Sequence, residues 1–375
     1  MAKVKLHFYF DKWKTSLRKL KASQTIFQTK TEGIRLRERE GDLIKTKSSV
    51  VFDVKGLIHP PGKIIAFPRF IPSPQGTRPG KEGITYGKVY SLSDRFQYLQ
   101  KDHPDLIVFD PVFGETMCEV PVVQVAQHYK PEEKLWAMRS AKDLTVLERK
   151  ALRLAKTLKK EAGIPWSSIG ISGSIMAGLT TEKSDIDPLV YGSENCRKAY
   201  AALQKMLNEA NSEFKPYSRA ELKELFDFRS KDTQMTFEDF TIVESRKAFQ
   251  GKFMGTDYFV RFVKDWPEIR EHYGDVCFKN SGYARVTAKI VDSSDSLFTP
   301  CTYKLALVKA VEGPNLLPIS EIVSFRGRFC EQAENGDAVE AQGKVELVTD
   351  MKTGSEHYRL ILGNKPTDYM VLSHG

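Results

Sequence analysis

The spacing of hydrophobic and polar residues divides the chain into regions of different texture. From 41 to 140, short runs of β-branched and aromatic residues are broken by Pro and Gly, which predicts a β-rich N-terminal domain. Helix-like and strand-like runs alternate from 141 to 280 and indicate a core of mixed architecture. Strand-like runs separated by turn signals return from 281 to 375 and favour a β-barrel or sandwich. The expected fold class is α+β.

The clearest helical pattern begins the core region. Leu147, Ala151, Leu154 and Leu158 recur at helical spacing, behind a candidate N-cap at Asp143. A short strand, the turn GSIMAG, a second strand and a helix capped by Ser193 are predicted to follow. This succession places a glycine-bearing turn between two strands of the core.

Composition and charge narrow the class of protein. A chain of 375 residues with 41% hydrophobic and 28% charged residues is typical of a globular protein of two or three domains. No run approaches the roughly 20 apolar residues that span a bilayer, and the start does not resemble a secretory signal, so we expect a cytoplasmic protein. Five dispersed cysteines predict reduced thiols without a zinc site.

A basic excess points to polyanionic partners. The net charge is +9, and residues 1–40 form a basic leader that includes Lys12, Arg18, Arg37 and Arg39. Phosphate contacts supply non-specific affinity for nucleic acids, so this excess fits a nucleotide or nucleic-acid ligand. The alternative is a basic surface that serves only solubility.

Candidate chemistry is concentrated between 169 and 192. Gly173-Ser174 follows an apolar strand, ten residues separate Ser174 from Asp185, and Asp187 lies two positions further on. Residues two apart on a strand point to the same face, so both carboxylates can converge on one cation such as Mg²⁺. The Gly-Ser turn can offer backbone N–H groups and a hydroxyl to a phosphate.

This pattern resembles the signature of the polymerase-beta-like nucleotidyltransferase superfamily, over roughly 164–264. The chain is also similar to archaeal predicted nucleotidyltransferases over about 43–370, where such a core lies between a β-rich region and a segment like SFRGRFCEQA. The resemblance implies a mixed sheet with flanking helices, two Mg²⁺ ions, and transfer of a nucleoside monophosphate from an NTP, with ATP expected. Pro188 departs from the pattern and predicts that Asp187 lies at a strand edge or kink.

The remaining site residues are less tightly specified. Asp257, in the strand-like run GTDYFVRFVK, is the expected third catalytic and metal-binding carboxylate, because superfamily members place this residue on a later strand. Asp239 and Glu244 are alternatives, although their run is typical of a helix. Lys183 and Ser184 are candidate phosphate contacts; the alternative for both is a solvated loop.

Two functions stay open at this point. The first is transfer to a hydroxyl acceptor, with RNA or another nucleic acid as a candidate, although the motif does not exclude a protein or small molecule. The second is a non-catalytic RNA- or DNA-binding protein that retains the fold. Arg326 and Arg328 alternate with Phe325 and Phe329, which predicts a strand whose arginines either bind phosphate or are solvated.

Overall fold

The computed structural model describes residues 37–80, 83–313 and 319–373. The expected basic leader therefore lies outside the described residues, except for its last four positions. The described chain is a mixed α+β protein with several β-sheets and seven α-helices. No described helix is both long enough and apolar enough to cross a membrane.

Strands dominate the N-terminal region, as the broken apolar runs predict. Its sheet has the order β4-β5-β3-β2-β1-β8, and β7 pairs with β3 and β6. Helix α1 begins behind the Ser91 side chain, which accepts from the Asp94 N–H, and buries Arg95 and Leu99. The elements are β1 (Leu43–Thr46), β2 (Val51–Val54), β3 (Lys63–Pro72), β4 (Arg78–Pro79), β5 (Thr85–Lys88), α1 (Leu92–Asp102), β6 (Ile107–Asp110), β7 (Glu115–Pro121) and β8 (Val125–Tyr129).

The central region alternates helices and strands. Strand β10 pairs antiparallel with β9 and parallel with β14, while β11, β12 and β13 form a second antiparallel sheet. A parallel bridge between Ile186 and Tyr258 links the two sheets. The elements are α2 (Pro131–Ser140), α3 (Val146–Ala162), β9 (Ile169–Ile171), α4 (Gly173–Ala177), β10 (Pro188–Tyr191), α5 (Ser193–Asn208), β11 (Phe214–Lys215), α6 (Arg219–Arg229), α7 (Phe237–Glu244), β12 (Gln250–Phe253), β13 (Thr256–Phe259) and β14 (Arg261–Val263).

Helix boundaries differ from the sequence expectation where capping chemistry decides them. The N-cap of α3 is Thr145 rather than Asp143, because Thr145 and Glu148 satisfy each other's backbone N–H groups in a capping box. Ser193 is the first residue of α5 and not its cap; its N–H donates to the Glu268 carboxylate at 3.1 Å.

The C-terminal strands form a closed circuit of pairings. Strand β15 pairs with β16, β16 with β17, β17 with β19, β19 with β18, and β18 again with β15. The domain boundary expected between 280 and 281 falls inside β15. The elements are β15 (Val276–Asp295), β16 (Cys301–Glu312), β17 (Ile319–Ser324), β18 (Ala338–Asp350), β19 (Glu356–Leu362) and β20 (Tyr369–Leu372).

The predicted strand from Ser324 to Cys330 is wrong. Strand β17 ends at Ser324, and Gly327–Phe329 is a 3₁₀ turn. Phe325 is 38% exposed, whereas Phe329 is buried, so the two rings do not share a buried face. Added at Gly327, a Cβ would lie only 2.7 Å from the Phe259 ring, so the turn packs closely against β13.

Hydrophobic packing unites the central and C-terminal regions. One buried cluster runs from Leu135 on α2 to Met370 on β20, while the N-terminal strands enclose a separate cluster around Phe52 and Leu99. All five cysteines are buried with free thiols. The last two regions of the chain therefore share one core, and the N-terminal region packs against the central region through a third buried cluster that joins Phe70 to Met176 and Leu179.

Candidate functional site

The Gly-Ser turn lies directly beneath the second aspartate. Gly173 begins α4 with a φ of +62°, in the left-handed region that favours glycine. A Cβ added at Gly173 would lie 1.8 Å from Asp187 Oδ2, so both backbone and space require glycine. Thus Gly173 and Asp187, predicted to share one site, are in direct contact.

Ser174 provides a buried hydroxyl beside this contact. The residue is 2% exposed, and its Oγ has no hydrogen-bond partner among the described residues. Its neighbour Ser172 differs, since Ser172 Oγ donates to the Gly41 carbonyl at 2.6 Å. Buried hydroxyls are ordinarily paired, so the free hydroxyl of Ser174 is one that a ligand can use.

Asp185 and Asp187 flank a buried bridge residue. The Ile186 N–H donates to the Asp257 carbonyl at 2.9 Å, and the Phe259 N–H donates to the Ile186 carbonyl at 3.0 Å. Because neighbours alternate across a strand, the two aspartates share the face opposite to Ile186, and both line a cleft. Pro188 is the first residue of β10, a position where a residue without a backbone N–H is tolerated, so Asp187 directly precedes the strand.

Electrostatics at this pair favour an added cation. Burial and, secondly, the neighbouring Asp185 raise the pKa of Asp187 to about 6, against the opposing effect of Lys88, Arg261 and Arg69. Two adjacent carboxylates repel each other, and a divalent cation between them would relieve that repulsion. The donor set of two carboxylates with an open side suits Mg²⁺, which is typically held by one or two carboxylates plus phosphate.

Asp257 lies on the neighbouring strand but its carboxylate is engaged elsewhere. It binds Lys252 Nζ at 2.9 Å, it adds to the effect of burial in raising the pKa of the nearby Tyr217, and its side chain is 50% exposed. It lines the same cleft as Asp185 and Asp187. In the described parts of the chain, however, no three His, Cys, Asp or Glu side chains are close enough to hold a metal together.

The two alternative carboxylates lie on a helix, as their sequence pattern predicts. Asp239 is in the first turn of α7, where it accepts a hydrogen bond from Thr236. Glu244 ends α7 and is buried in ion pairs with Arg229 at 2.6 Å and with Lys247. Neither lines the cleft, so neither can complete a site with Asp185 and Asp187.

The loop between the turn and the aspartates is held by its own hydrogen bonds. Ser184 is buried, and its Oγ accepts from the Thr181 N–H at 2.8 Å. Arg78 from β4 donates to the Leu179 carbonyl at 2.5 Å. Ser184 therefore stabilises the loop and is not directed at a ligand, whereas Lys183 is exposed and lines the cleft.

The cleft above the aspartates is large and involves all three regions. Its volume is about 1860 Å³, and its walls come from the N-terminal sheet, the central strands and the C-terminal circuit. Small-molecule pockets usually occupy about 300–1,000 Å³. The cleft can therefore hold more than one small ligand.

Most of the cationic side chains that line the cleft were not identified from the sequence; among the following four, only Arg326 was a candidate phosphate ligand there. Lys88, Arg69, Arg95 and Arg326 all line the cleft, and they come from β5, β3, α1 and the segment after β17. No local motif contains them, because four separate elements contribute one residue each. Only the fold brings them together.

Two buried acids balance part of this positive charge. Glu40 is fully buried and binds Arg261 at 2.8 Å and Lys55 at 3.0 Å. Asp53 binds Lys55 at 2.9 Å; burial opposes its ionisation, but Lys55, Arg261 and other cations outweigh that effect and lower its pKa. These pairs fix the positions of Arg261 and Lys55.

Arg39, in the described end of the basic leader, has a role that differs from the one expected of the leader. Arg39 is 7% exposed and forms ion pairs with Glu132 at 3.1 Å and Asp265 at 2.9 Å. Its guanidinium also lies 3.4 Å from the centroid of the Tyr191 ring. Arg39 therefore anchors the start of the described chain to the central region, and it is not available to a polyanion.

Fold and site together define the class: an α+β protein with a carboxylate pair over a Gly-Ser turn, in a cationic cleft. The chain is 30% identical over 336 residues to uncharacterized protein MJ1086 of Methanocaldococcus jannaschii, covering 88% of this chain and 96% of that protein. It belongs to the same family as this archaeal protein. No protein-family model and no solved structure matches the chain.

Proposed function

We propose that the protein is a nucleotidyltransferase that transfers a nucleoside monophosphate from an NTP, with ATP expected, to a hydroxyl acceptor. One observation carries this proposal: the Gly-Ser turn and the aspartate pair, fourteen positions apart, meet at the contact between Gly173 and Asp187. This contact joins a candidate phosphate-binding hydroxyl, Ser174, to a candidate metal-binding pair. Such a combination is what nucleotidyl transfer requires.

The reaction forms one bond and breaks another at the α-phosphorus. The acceptor oxygen attacks the α-phosphorus, the bond to the β-phosphate breaks, pyrophosphate leaves, and the acceptor hydroxyl loses its proton. When bound, Mg²⁺ neutralises phosphate charge and activates the acceptor oxygen. Asp185 and Asp187 would hold the metal, and the Ser174 hydroxyl would donate to a phosphate oxygen.

We assign Asp257 as the general base that takes the proton from the acceptor hydroxyl. Its strand lies beside the aspartates in parallel register, and its half-exposed carboxylate lines the cleft. Release of Asp257 from Lys252 would let it act as a base; base catalysis is typically worth about 10²–10⁴-fold in rate. Asp257→Asn should therefore reduce turnover by that factor without weakening NTP binding, whereas Lys252→Met should leave turnover within a few-fold.

The finer fold assignments follow from the same proposal. The sheets of β9, β10 and β14 and of β11 to β13, joined at Ile186, would form the nucleotidyltransferase core with helices α3 and α5 beside it. The circuit β15-β16-β17-β19-β18 would form a five-stranded barrel. Closed barrels leave no unpaired strand edges, so such a domain can pack one face against the cleft.

A non-catalytic nucleic-acid-binding protein is the second candidate. The engaged carboxylate of Asp257 favours it, because an active site with three metal-binding carboxylates would need that group beside the pair. In that case the cleft would bind nucleic acid through its cations, with or without Mg²⁺.

The deciding experiment uses the full-length protein and each labelled NTP. We would incubate it with Mg²⁺ or Mn²⁺ and a pool of RNA, DNA and cell protein, and then ask which component becomes labelled. The wild type should label an acceptor, while the double variant Asp185→Asn, Asp187→Asn should lose at least 10³-fold of that activity. Asp227→Asn, an exposed aspartate on α6, is the matched control.

Two results would contradict the proposal. Unchanged labelling by the double variant at saturating Mg²⁺ would show that the carboxylate pair is not the catalytic centre. Nucleic-acid binding without labelling by any NTP in the wild type would favour the non-catalytic candidate instead.

A further inference from the structure

Arg95 is a buried cation without a complete set of partners. It projects from α1 into the wall of the cleft and is 7% exposed. Its Nε has no hydrogen-bond partner among the described residues. A buried guanidinium normally has acceptors for its N–H groups, because an unpaired buried charge is costly.

The charged side chains that act on Arg95 are mostly positive. Burial, together with Arg69, Arg326 and Arg261, lowers its pKa to about 10, against the opposing effect of Asp53. Asp53, in turn, is already paired with Lys55 at 2.9 Å. Asp53 is therefore not available to Arg95 alone, and three other arginines add positive charge around Arg95.

This cluster lies beside the aspartate pair. Arg69 and Arg261 act electrostatically on both Arg95 and Asp187, so the two groups share neighbours. Arg261 is fixed by its ion pair with Glu40 at 2.8 Å. The cationic centre and the candidate metal site are thus parts of one cleft and not separate surfaces.

We propose that Arg95, with Arg69 and Arg326, binds a phosphate group of the substrate next to Asp185 and Asp187. This inference rests on the proposed function and adds the residues that would hold the phosphate. Arginine suits the role because its planar set of N–H donors can make paired hydrogen bonds to phosphate oxygens. A phosphate would supply the acceptors and the negative charge that Arg95 lacks.

The arrangement also links the three regions of the molecule through one ligand. Arg69 and Arg95 belong to the N-terminal region, Arg261 to the central strands and Arg326 to the C-terminal region. Arg326 Nε donates to the Gly363 carbonyl at 3.3 Å, which holds its side chain at the cleft. A phosphate at this point would contact both walls of the cleft at once.

Two sources of phosphate share this chemistry: the triphosphate of an NTP and the backbone of a nucleic-acid strand. Isothermal titration in EDTA separates phosphate binding from metal binding, with ATP, inorganic tripolyphosphate and a ten-nucleotide RNA as probes. Arg95→Gln should lower the affinity for at least one of these probes by tenfold or more. Loss of affinity for ATP and tripolyphosphate alone identifies a triphosphate site. Loss of affinity for RNA alone identifies a site for the nucleic-acid backbone.

Controls make the result decisive. Arg153→Gln, an exposed arginine on α3 paired with Glu213, should leave all three affinities unchanged. Arg69→Gln provides a second test if Arg95→Gln does not fold. Unchanged affinity for every probe in a folded Arg95 or Arg69 variant would overturn the inference.

The double variant Asp185→Asn, Asp187→Asn distinguishes this inference from the proposed function. Without metal it should bind the affected probe at least as tightly as the wild type, because two negative charges beside the phosphate are removed, even though transfer is lost. If the wild type binds phosphate through Arg95 but never transfers a nucleotide, the proposed function fails and the phosphate site stands. If the wild type transfers a nucleotide and the Arg95 variant binds every probe normally, the phosphate-site inference is wrong and the proposed function stands.

Discussion

Two clusters of buried charge in this molecule are built in opposite ways. At the end of α7, Glu244 accepts from Arg229 at 2.6 Å, from Lys247 and from Gln250. Burial opposes its ionisation, but Lys247 and Arg229 outweigh burial and lower its pKa. At the cleft, burial and Asp185 raise the pKa of Asp187 instead.

The difference separates a structural network from a binding site. Every oxygen of Glu244 has a protein partner, so the cluster is complete without a ligand and holds α6, α7 and the C-terminal region together. In the cleft, Asp185 and Asp187 adjoin each other, and neither the Ser174 hydroxyl nor Arg95 Nε has a hydrogen-bond partner among the described residues. Perturbed, incompletely paired groups in a cleft are typical of functional sites.

The largest effect on stability should come from breaking the complete network. Glu244→Gln removes the charge that balances the buried Arg229 and Lys247, and should cost about 3–5 kcal/mol of unfolding free energy. Urea unfolding measures this loss. Glu194→Gln breaks an exposed ion pair with Lys198 and should leave the unfolding midpoint unchanged. An equal, small effect of both changes would show that Glu244 is not structural.

Gly173→Ala should have the next largest effect. Its Cβ would occupy the space of Asp187 Oδ2, and its φ of +62° is unfavourable for alanine, so we expect a loss of about 2–3 kcal/mol and of Mg²⁺-dependent stabilisation.

Gly178→Ala is the matched control for the glycine test. Gly178 has a similar φ of +69°, but no atom of the described residues lies within 4 Å of the added Cβ. This variant should lose only about 1–2 kcal/mol, from backbone strain alone, and keep its response to Mg²⁺. Equal losses at both glycines would show that contact with Asp187 has no energetic role.

Local features were predictable from the sequence because neighbouring residues determine them. The helical spacing of Ala151, Leu154 and Leu158 correctly predicts one buried face of α3. The Gly-Ser turn and the Asp185–Asp187 alternation predict residues of one site, because strands on each side fix their directions. The cap of α3 was missed since Asp143 and Thr145 are both good caps, and only Thr145 is followed at the third position by glutamate.

Features that depend on distant contacts were not predictable. Spacing along a strand suggests which face Asp257 occupies, but not that Lys252 on the paired strand binds its carboxylate. Likewise, Arg39 resembles the other basic residues of the leader until Glu132 and Asp265 are seen beside it. The cluster around Arg95 needs the packing of three regions, for which the sequence contains no periodic signal.

Replacing Asp187 by the neutral asparagine should stabilise the protein. Its folded pKa of about 6 exceeds the usual 3.8, so the native state binds more protons, and stability is lost as pH rises through that interval. Asp187→Asn should therefore raise the unfolding free energy by about 1–2 kcal/mol at pH 8 in EDTA, and by little at pH 4. Urea titrations at both pH values measure it.

Asp53, in the same cleft, should show the opposite effect of neutralisation on the unfolding free energy. Cations lower its folded pKa, so its contribution is present above the unfolded value and is lost as pH falls through it. Asp53→Asn should therefore destabilise the protein at pH 8. Stabilisation by both substitutions, or by neither, would contradict the contrast between the two aspartates.

The smallest effect on stability concerns two neighbouring serines. Ser174→Ala removes a buried hydroxyl that has no partner in the described parts of the chain, so the unfolding free energy should change by less than about 0.5 kcal/mol or increase slightly. Ser172→Ala removes the donor to the Gly41 carbonyl and should cost about 1–2 kcal/mol.

If the Ser174 hydroxyl binds a phosphate, its removal should weaken ATP binding in Mg²⁺ at least fivefold, as measured by titration calorimetry. Ser172→Ala should leave ATP affinity within twofold once its lower stability is taken into account. A Ser174 variant that is destabilised yet binds ATP normally would mean that the hydroxyl serves the fold and not the ligand.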